Sequence, residues 1–249
     1  MPVKKKTKAP GQGMTAKQMK RRKPISQDYM LPIEPLTDNQ KVMFDAWDEG
    51  KMIYAYGVAG TGKTFVALYK ALKEVLDDYS PYEKIYIVRS LVATREIGFL
   101  PGDHEDKSSL YQIPYKNMVQ AMFEMPDDNS YEMLYDNLKA QETISFWSTS
   151  FIRGTTLDNA IVIIDECQNL NFHELDSIIT RVGQDSKIIF CGDAAQTDLL
   201  KSNERTGILD FQRIIQNMDE FSLVEFGIDD IVRSGLVKSY LISKINLGL

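Results

Sequence analysis

The sequence predicts an α/β fold in which helices flank a mainly parallel central sheet. Short apolar runs, rich in β-branched and aromatic residues, recur along the chain, and segments with helical periodicity separate them. The runs are mostly continuous and do not alternate with polar residues, which is typical of strands buried on both faces of a parallel sheet. Strands that alternate with helices favour right-handed crossover connections between parallel neighbours.

The individual elements follow from these patterns. Strands are predicted at residues 52–56, 85–88, 143–147, 160–164 and 187–191, with a sixth candidate at 222–226. Helices are predicted at about 38–48, 63–78, 108–124, 130–140, 173–182, 207–217 and 235–245. Residues 101–142 are predicted to form a helical insertion rich in Tyr and Met. We expect these side chains to pack the insertion onto the body or a neighbouring subunit; the alternative is that they stack nucleobases.

The composition is that of a globular protein that needs no covalent or metal cross-link. The chain has 249 residues, of which 43% are hydrophobic and 26% charged, as in ordinary globular domains. Two cysteines (Cys167, Cys191) and two histidines (His104, His173) exclude a disulfide scaffold or zinc finger and disfavour a histidine-based metal centre. No apolar run approaches the ~18 residues of a membrane span, and no secretory signal is recognisable. We therefore expect a soluble, cytoplasmic protein with no membrane partner.

Charge is divided unevenly along the chain. The formal net charge is −6, yet residues 1–23 hold nine basic residues and no acid, which leaves 20 basic against 35 acidic residues in the remainder. Residues 1–28 contain few large apolar side chains, so we predict a disordered basic tail followed by one domain at 29–249. The tail is either an arm for nucleic acid or a solubilising segment without a specific partner.

Residues 57–64 read Gly-Val-Ala-Gly-Thr-Gly-Lys-Thr and match the phosphate-binding pattern G-x-x-x-x-G-K-[ST] between a predicted strand and helix. The glycines let backbone N–H groups turn inward around a polyphosphate, and the following helix adds unpaired N–H groups. Lys63 is expected to reach the β- and γ-phosphates, and the Thr64 hydroxyl to ligate Mg²⁺. The predicted nucleotide-binding residues are Gly57, Val58, Ala59, Gly60, Thr61, Gly62, Lys63 and Thr64.

Two further motifs follow predicted strands. Asp165 and Glu166 come directly after the strand at 160–164, which predicts Asp165 as the Mg²⁺ partner and Glu166 as the base for an attacking water. Residues 192–199 follow the next strand, and Gln196 within them is expected to face the γ-phosphate or that water. The alternative for this third motif is a polar turn in which Asp193 caps a helix.

The three motifs, in this order, resemble a helicase-type RecA-like ATPase core, and the body more closely resembles the PhoH family of phosphate-starvation-inducible proteins. The resemblance covers about residues 30–245 and is carried by segments 36–40, 57–64, 97–103, 151–157, 165–169, 180–183, 192–199 and 230–233. The chain departs from the family pattern at two residues: Cys167 stands where Ala is usual, and position 205 within 204–207 is Arg. The basic tail has no recognised counterpart in the family, and no nuclease-like domain is recognised before the body. The divergence of the sequence and the compactness of the chain are similar to those of family members carried by phages.

The resemblance implies an ATPase that uses ATP and Mg²⁺ and acts on RNA or single-stranded nucleic acid, in the cytoplasm of a cell or of a phage host. It also implies that Gln40 contacts adenine, since an amide can pair with both the N6 donor and the N7 acceptor of that base. The alternative is that Gln40 is an exposed residue on an amino-terminal helix. An ATP-switched nucleic-acid-binding adaptor with little turnover and a P-loop kinase remain open as other functions.

A single RecA-like body leaves its nucleotide without the second half that helicases use. The resemblance therefore implies a homo-oligomer, a hexameric ring, in which a neighbour supplies an arginine that stabilises charge on the transferring phosphoryl group. The arginine candidates are Arg153, Arg181, Arg205 and Arg233, and Arg233 could act from its own subunit.

Overall fold

The computed structural model describes residues 25–89, 104–152, 154–193 and 202–247, without the side chains of 104–111, 150–151 and 202–206. The described strands are β1 (Met52–Gly57), β2 (Lys84–Arg89), β3 (Ile144–Ser148), β4 (Ala160–Asp165), β5 (Lys187–Gly192) and β6 (Phe221–Phe226). The described helices are α1 (Asp38–Asp48), α2 (Lys63–Val75), α3 (His104–Gln120), α4 (Asp128–Ala140), α5 (Thr149–Ile152), α6 (Phe172–Ile179), α7 (Ser202–Gln216) and α8 (Gly235–Asn246). Short 3-10 turns lie at Gln27–Tyr29, Cys167–Asn169 and Ile228–Asp230.

The strands form one six-stranded sheet in the order β3-β2-β4-β5-β1-β6. Every pair of neighbouring strands is parallel. All six predicted strands are confirmed, and their ends differ from the predicted positions by at most one residue. The predicted α/β class is therefore confirmed. The sheet was predicted to be mainly parallel, and among the described residues it is wholly parallel.

Both faces of the sheet are buried, as the continuous apolar runs predicted. In β4, Ile161 and Ile163 belong to one core cluster, while Val162 and Ile164 belong to the other. The first cluster packs under α1, α2 and the insertion helices α3 and α4. The second packs under α5, α6 and α7. The result is a three-layer arrangement in which side chains alternate between two cores.

The central strands end together at one edge of the sheet. Arg89 is in register with Asp165 across β2 and β4, and Tyr56 is in register with Gly192 across β1 and β5. In an open parallel sheet, ligands bind in the crevice outside these carboxyl ends. The topology therefore brings the loop after β1, the acid pair and the start of the third motif (Gly192 and Asp193) to the same edge.

The helical insertion packs onto the body. Tyr115, Met122, Phe123, Tyr131 and Tyr135 are all buried in the first core cluster. The packing interpretation is thus confirmed for these side chains, although Met133 is 68% exposed. The insertion forms α3 and α4, which begin earlier than predicted, at 104 and 128.

The predicted boundary of the basic tail is wrong at its carboxyl end. Residues 25–28 were expected to be disordered, but Ile25 packs against the first core cluster and Ser26 caps the turn at Gln27–Tyr29. The chain then forms a bridge between Met30 and Phe123. These apolar contacts order a segment whose composition alone resembles a tail; residues 1–24 lie outside the described residues.

Among the described helices, none has the length and hydropathy needed to cross a lipid bilayer.

Candidate nucleotide-binding site

The phosphate-binding loop follows β1 and opens α2. Gly57 has φ of 117°, and a Cβ atom there would lie 2.2 Å from the carbonyl oxygen of Phe226, so only glycine fits. Gly62 is the N-cap of α2 with φ of 84° and provides no side-chain cap. The first N–H groups of α2 therefore point toward the loop without a capping side chain, which is the usual arrangement of an anion site.

Lys63 lies inside this loop and is 8% exposed. Its Nζ donates to the carbonyl oxygens of Gly57 at 3.1 Å and Val58 at 2.7 Å. Burial lowers the pKa of Lys63, whereas neighbouring groups, Cys191 and Asp193 foremost, oppose that shift. The ammonium is thus held at the centre of the loop, where a polyphosphate would receive its charge.

The two residues predicted to hold Mg²⁺ are in direct contact. The Thr64 hydroxyl donates to Asp165 Oδ1 at 2.6 Å, and Asp165 is 7% exposed. Mg²⁺ in nucleotide sites typically binds one or two protein oxygen ligands plus phosphate oxygens and water. A hydroxyl and a carboxylate at the start of α2 and the end of β4 fit that ion.

Glu166 follows in a left-handed backbone conformation, with φ of 52°. Its Oε2 accepts a hydrogen bond from Gln168 Nε2 at 2.5 Å, and Gln168 Oε1 accepts one from the backbone N–H of Asp193 at 2.9 Å. A non-glycine residue in this region costs about 1–3 kcal/mol and is typical of functional sites. Gln168 therefore connects the acid pair after β4 to the motif after β5.

Gln40 is buried, at 4% exposure. Its Oε1 accepts from the backbone N–H of Leu36 at 2.8 Å, and its Nε2 donates to the carbonyl oxygen of Thr61 at 2.9 Å. The alternative interpretation, an exposed residue on the helix surface, is wrong because the side chain packs against the loop. The amide retains one N–H and one lone pair for a further partner.

These groups surround a cleft of about 510 Å³, which lies within the size range of small-molecule sites. Its lining includes polar groups of the loop and the acid pair. It also includes four apolar side chains: Ile33, Leu36, Met118 and Val232. The cleft thus combines polar groups suited to phosphates with apolar side chains suited to a base.

The arginine candidates occupy different places. Arg233 lines the cleft of its own subunit, because a Cβ atom built on Gly60 would lie 2.9 Å from Arg233 Cγ. Arg181 lies at the opposite edge of the sheet, where its carbonyl accepts from the Leu157 N–H just before β4. Arg153 and Gln196, both predicted to be catalytic, lie outside the described residues, as does the side chain of Arg205.

Two cleft residues were missed by sequence reasoning. Arg89 ends β2 in register with Asp165, and Tyr115 comes from α3. Arg89 carried a usable signal, since it is a charged residue at the carboxyl end of a parallel strand. Tyr115 had no such signal in the sequence, because helical periodicity does not indicate which residues the buried face of a helix will contact.

A wholly parallel sheet whose central strands end at a G-x-x-x-x-G-K-T loop and an acid pair defines a nucleotide-binding protein of the P-loop NTPase class. Within this class, the model of the PhoH-like protein family matches residues 32–243, and the chain belongs to that family.

Curated relatives agree with the family assignment. The chain is 32% identical over 206 residues to a PhoH-like protein of Mycobacterium leprae (strain TN), covering 82% of this chain and 56% of the relative. It is 32% identical over 210 residues to a PhoH-like protein of Bacillus subtilis (strain 168), covering 81% and 60%. It is 29% identical over 212 residues to Protein PhoH of Escherichia coli (strain K12), covering 84% and 57%. The chain spans somewhat over half the length of these relatives.

Among solved structures, the chain is similar to the large terminase from a thermophilic bacteriophage, with a TM-score of 0.47, 13% identity and coverage of 83% of this chain and 50% of that one. It is also similar to Pif1 helicase from Candida albicans, with a TM-score of 0.43, 17% identity and coverage of 87% and 44%.

Proposed function

We propose that this protein is a Mg²⁺-dependent ATPase that acts on RNA or single-stranded nucleic acid. The observation that carries the proposal is that the loop with Lys63, the Thr64–Asp165 pair and Glu166 line one cleft. Each group has the chemistry that hydrolysis of a nucleoside triphosphate requires, and the three come from separate parts of the sequence.

The chain's own residues divide the work along the cleft. The loop N–H groups and Lys63 bind the β- and γ-phosphates, and Thr64 with Asp165 would hold Mg²⁺, which neutralises charge on those phosphates. Glu166, adjacent to Asp165, accepts a proton from the attacking water. The apolar side chains of the cleft and the remaining hydrogen-bonding groups of the Gln40 amide receive the adenine.

The basic tail supports a nucleic-acid substrate. Nine basic residues precede residue 24, and the described chain begins at Ile25, which packs against the core that also holds α3 and α4. From there the chain runs to the bridge between Met30 and Phe123, next to the insertion helices. Basic segments of this kind bind phosphate backbones with a strong dependence on salt.

The test is phosphate release with and without RNA or single-stranded DNA, over a series of salt concentrations. We expect stimulation that weakens as salt rises, and a smaller salt slope when the nine basic residues of 1–23 are replaced by Ser. Because the replacement keeps the length of the tail, it separates the effect of charge from that of truncation. Absence of stimulation by any nucleic acid would favour the adaptor, and labelling of a small molecule would favour the kinase.

We further propose that the chain forms a homo-oligomer, a hexameric ring, in the cytoplasm. Helix α8 follows Arg233 closely, yet none of its residues is buried. Its apolar side chains are open to solvent, with Leu236 at 83% and Tyr240 at 66% exposure. A helix of this kind beside the cleft favours a neighbouring subunit as its cover. The two cysteines, both free and buried, suit a reducing compartment.

Light scattering of the intact protein tests this assembly. We expect an oligomer in the wild type and smaller species in Leu236→Ser combined with Tyr240→Ser. Met133→Ser, which changes a comparably exposed apolar residue on α4, is expected to leave the mass unchanged. A monomeric wild type would contradict the proposal.

A further inference from the structure

A tyrosine from the helical insertion reaches the acid pair. Tyr115 on α3 is 2% exposed, and its hydroxyl donates to Asp165 Oδ2 at 2.5 Å. The other carboxylate oxygen, Oδ1, accepts from the Thr64 hydroxyl at 2.6 Å. Each oxygen of Asp165 therefore has one fixed donor, and the two donors come from different helices. Their combined effect is to hold the plane of the carboxylate in one orientation.

The phenol is itself held from two directions. Its ring packs against Phe146 of β3, with 5.4 Å between ring centroids. The guanidinium of Arg89 lies against its oxygen. A tyrosine hydroxyl is protonated at neutral pH, so this one acts as a donor to the carboxylate.

The helix that carries Tyr115 is fixed to the rest of the insertion. Lys116 forms an ion pair with Glu132 of α4 at 2.5 Å, and the Tyr131 hydroxyl donates to the carbonyl oxygen of Lys116. Pro114 and Met118, on either side of Tyr115, also line the cleft. The insertion is thus a wall of the nucleotide site, and the Tyr115–Asp165 hydrogen bond joins that wall to the acid pair.

We propose that Tyr115 is a positioning residue that orients Asp165 for Mg²⁺ and makes α3 part of the metal site. The inference rests on the proposed function, because it requires that Asp165 hold Mg²⁺ beside a bound nucleotide. A hydrogen-bond donor behind a ligating carboxylate fixes its orientation, and removal of such a partner typically costs ~10–100-fold in metal affinity or activity.

Tyr115→Phe in the full chain tests this, since it removes the hydroxyl and keeps the ring. Binding of a fluorescent ATP analogue is measured first in EDTA and then during a Mg²⁺ titration, so the readout does not depend on turnover. We expect unchanged binding in EDTA and a Mg²⁺ midpoint raised by about 10-fold or more. Tyr135→Phe is the matched control: it changes a buried tyrosine of the same insertion whose hydroxyl has no hydrogen-bond partner among the described residues. Its Mg²⁺ midpoint is expected to equal that of the wild type.

Amide hydrogen exchange at residues 112–120 supplies a second measurement on the wild type itself. With a non-hydrolysable ATP analogue bound, we expect Mg²⁺ to slow exchange in this segment, and to do so far less in Tyr115→Phe. Any of three results would overturn the inference alone: a Tyr115→Phe variant that titrates with Mg²⁺ like the wild type, a Tyr135→Phe variant whose Mg²⁺ midpoint shifts equally, or wild-type exchange that does not respond to Mg²⁺. Absence of any Mg²⁺-dependent nucleotide binding in the wild type would overturn the proposed function with it.

Discussion

Gln40 Nε2 donates a hydrogen bond to the carbonyl oxygen of Thr61 at 2.9 Å and so ties α1 to the phosphate-binding loop. The same amide accepts from the N–H of Leu36 at 2.8 Å. One buried side chain therefore holds together the segment before α1, the helix itself and the loop. Because Leu36 and Gln40 both line the cleft, this contact also shapes the surface against which we place the base.

Gln40→Ala is expected to weaken ATP binding and to reduce the preference for ATP over GTP. The substitution also leaves the Thr61 carbonyl without this buried donor, which should lower the free energy of unfolding by about 1–3 kcal/mol. Competition between ATP and GTP measures the first effect, and urea unfolding the second. Gln120→Ala, at an exposed glutamine bonded to Asp128, is the control and should change neither. An unaltered nucleotide preference in Gln40→Ala would contradict the assignment of this side chain to adenine.

Glu166→Gln should keep nucleotide binding and lose turnover. The amide is nearly the same size as the carboxylate but cannot take a proton from water, so we expect phosphate release to fall by ~10²–10⁴-fold. Analogue binding and phosphate release are measured on the same preparation. Glu225→Gln is the control, since Glu225 is an exposed residue of β6 that contacts Tyr56 and does not line the cleft. Normal hydrolysis by Glu166→Gln would show that another group is the base.

Arg233 and Arg181 should behave differently in mixed oligomers. Loss of an arginine that stabilises the phosphoryl group typically costs ~10³–10⁵-fold in rate. Because Arg233 lies on the loop of its own subunit, mixing Arg233→Ala with Lys63→Ala subunits should not restore phosphate release. The same mixture made with Arg181→Ala or Arg153→Ala should restore phosphate release if the replaced arginine acts on the site of a neighbouring subunit. Failure of every arginine to complement would contradict a site shared between subunits.

Asp230 should make stability depend on pH. It is 4% exposed and accepts from Asn39 Nδ2 at 2.7 Å and the Gly227 N–H at 2.8 Å. Burial acts to raise the pKa of Asp230, but hydrogen bonds from Thr37, Asn39 and Gly227 outweigh it, so the pKa is lowered. A lowered folded-state pKa stabilises the fold above the unfolded value of about 3.9, and this stabilisation is lost as pH falls through the folded pKa.

We therefore expect Asp230→Asn to be less stable than the wild type at pH 7 by about 1–3 kcal/mol, with the difference shrinking below about pH 4. Urea unfolding at several pH values measures it, with the neighbouring variant Asp229→Asn as control. A difference that stays constant from pH 7 to about pH 3, below the unfolded pKa, would contradict the role given to the Asp230 carboxylate.

The sheet and the loop were predictable because their signals are local. The apolar run of β4 ends at Asp165, and parallel strands bring such ends together, so the contact between Thr64 and Asp165, 101 positions apart, could be anticipated. Tyr115 could not be anticipated, since its partner depends on how α3 packs across the edge of the sheet. The bond between Asn39 and Asp230, 191 positions apart, was hidden for the same reason. Residues 25–28 were assigned to the tail because composition does not register the few apolar contacts that order them.

Phosphate release from ATP as a function of Mg²⁺ concentration tests whether this cleft hydrolyses ATP. Lys63 and Lys70 both lie on α2 and are both 8% exposed, yet only Lys63 lines the cleft, while Lys70 pairs with Asp48. We expect Mg²⁺-dependent release by the wild type and by folded Lys70→Ala, and loss of release in Lys63→Ala. No release by the wild type, or equal release by Lys63→Ala, would contradict hydrolysis of ATP in this cleft.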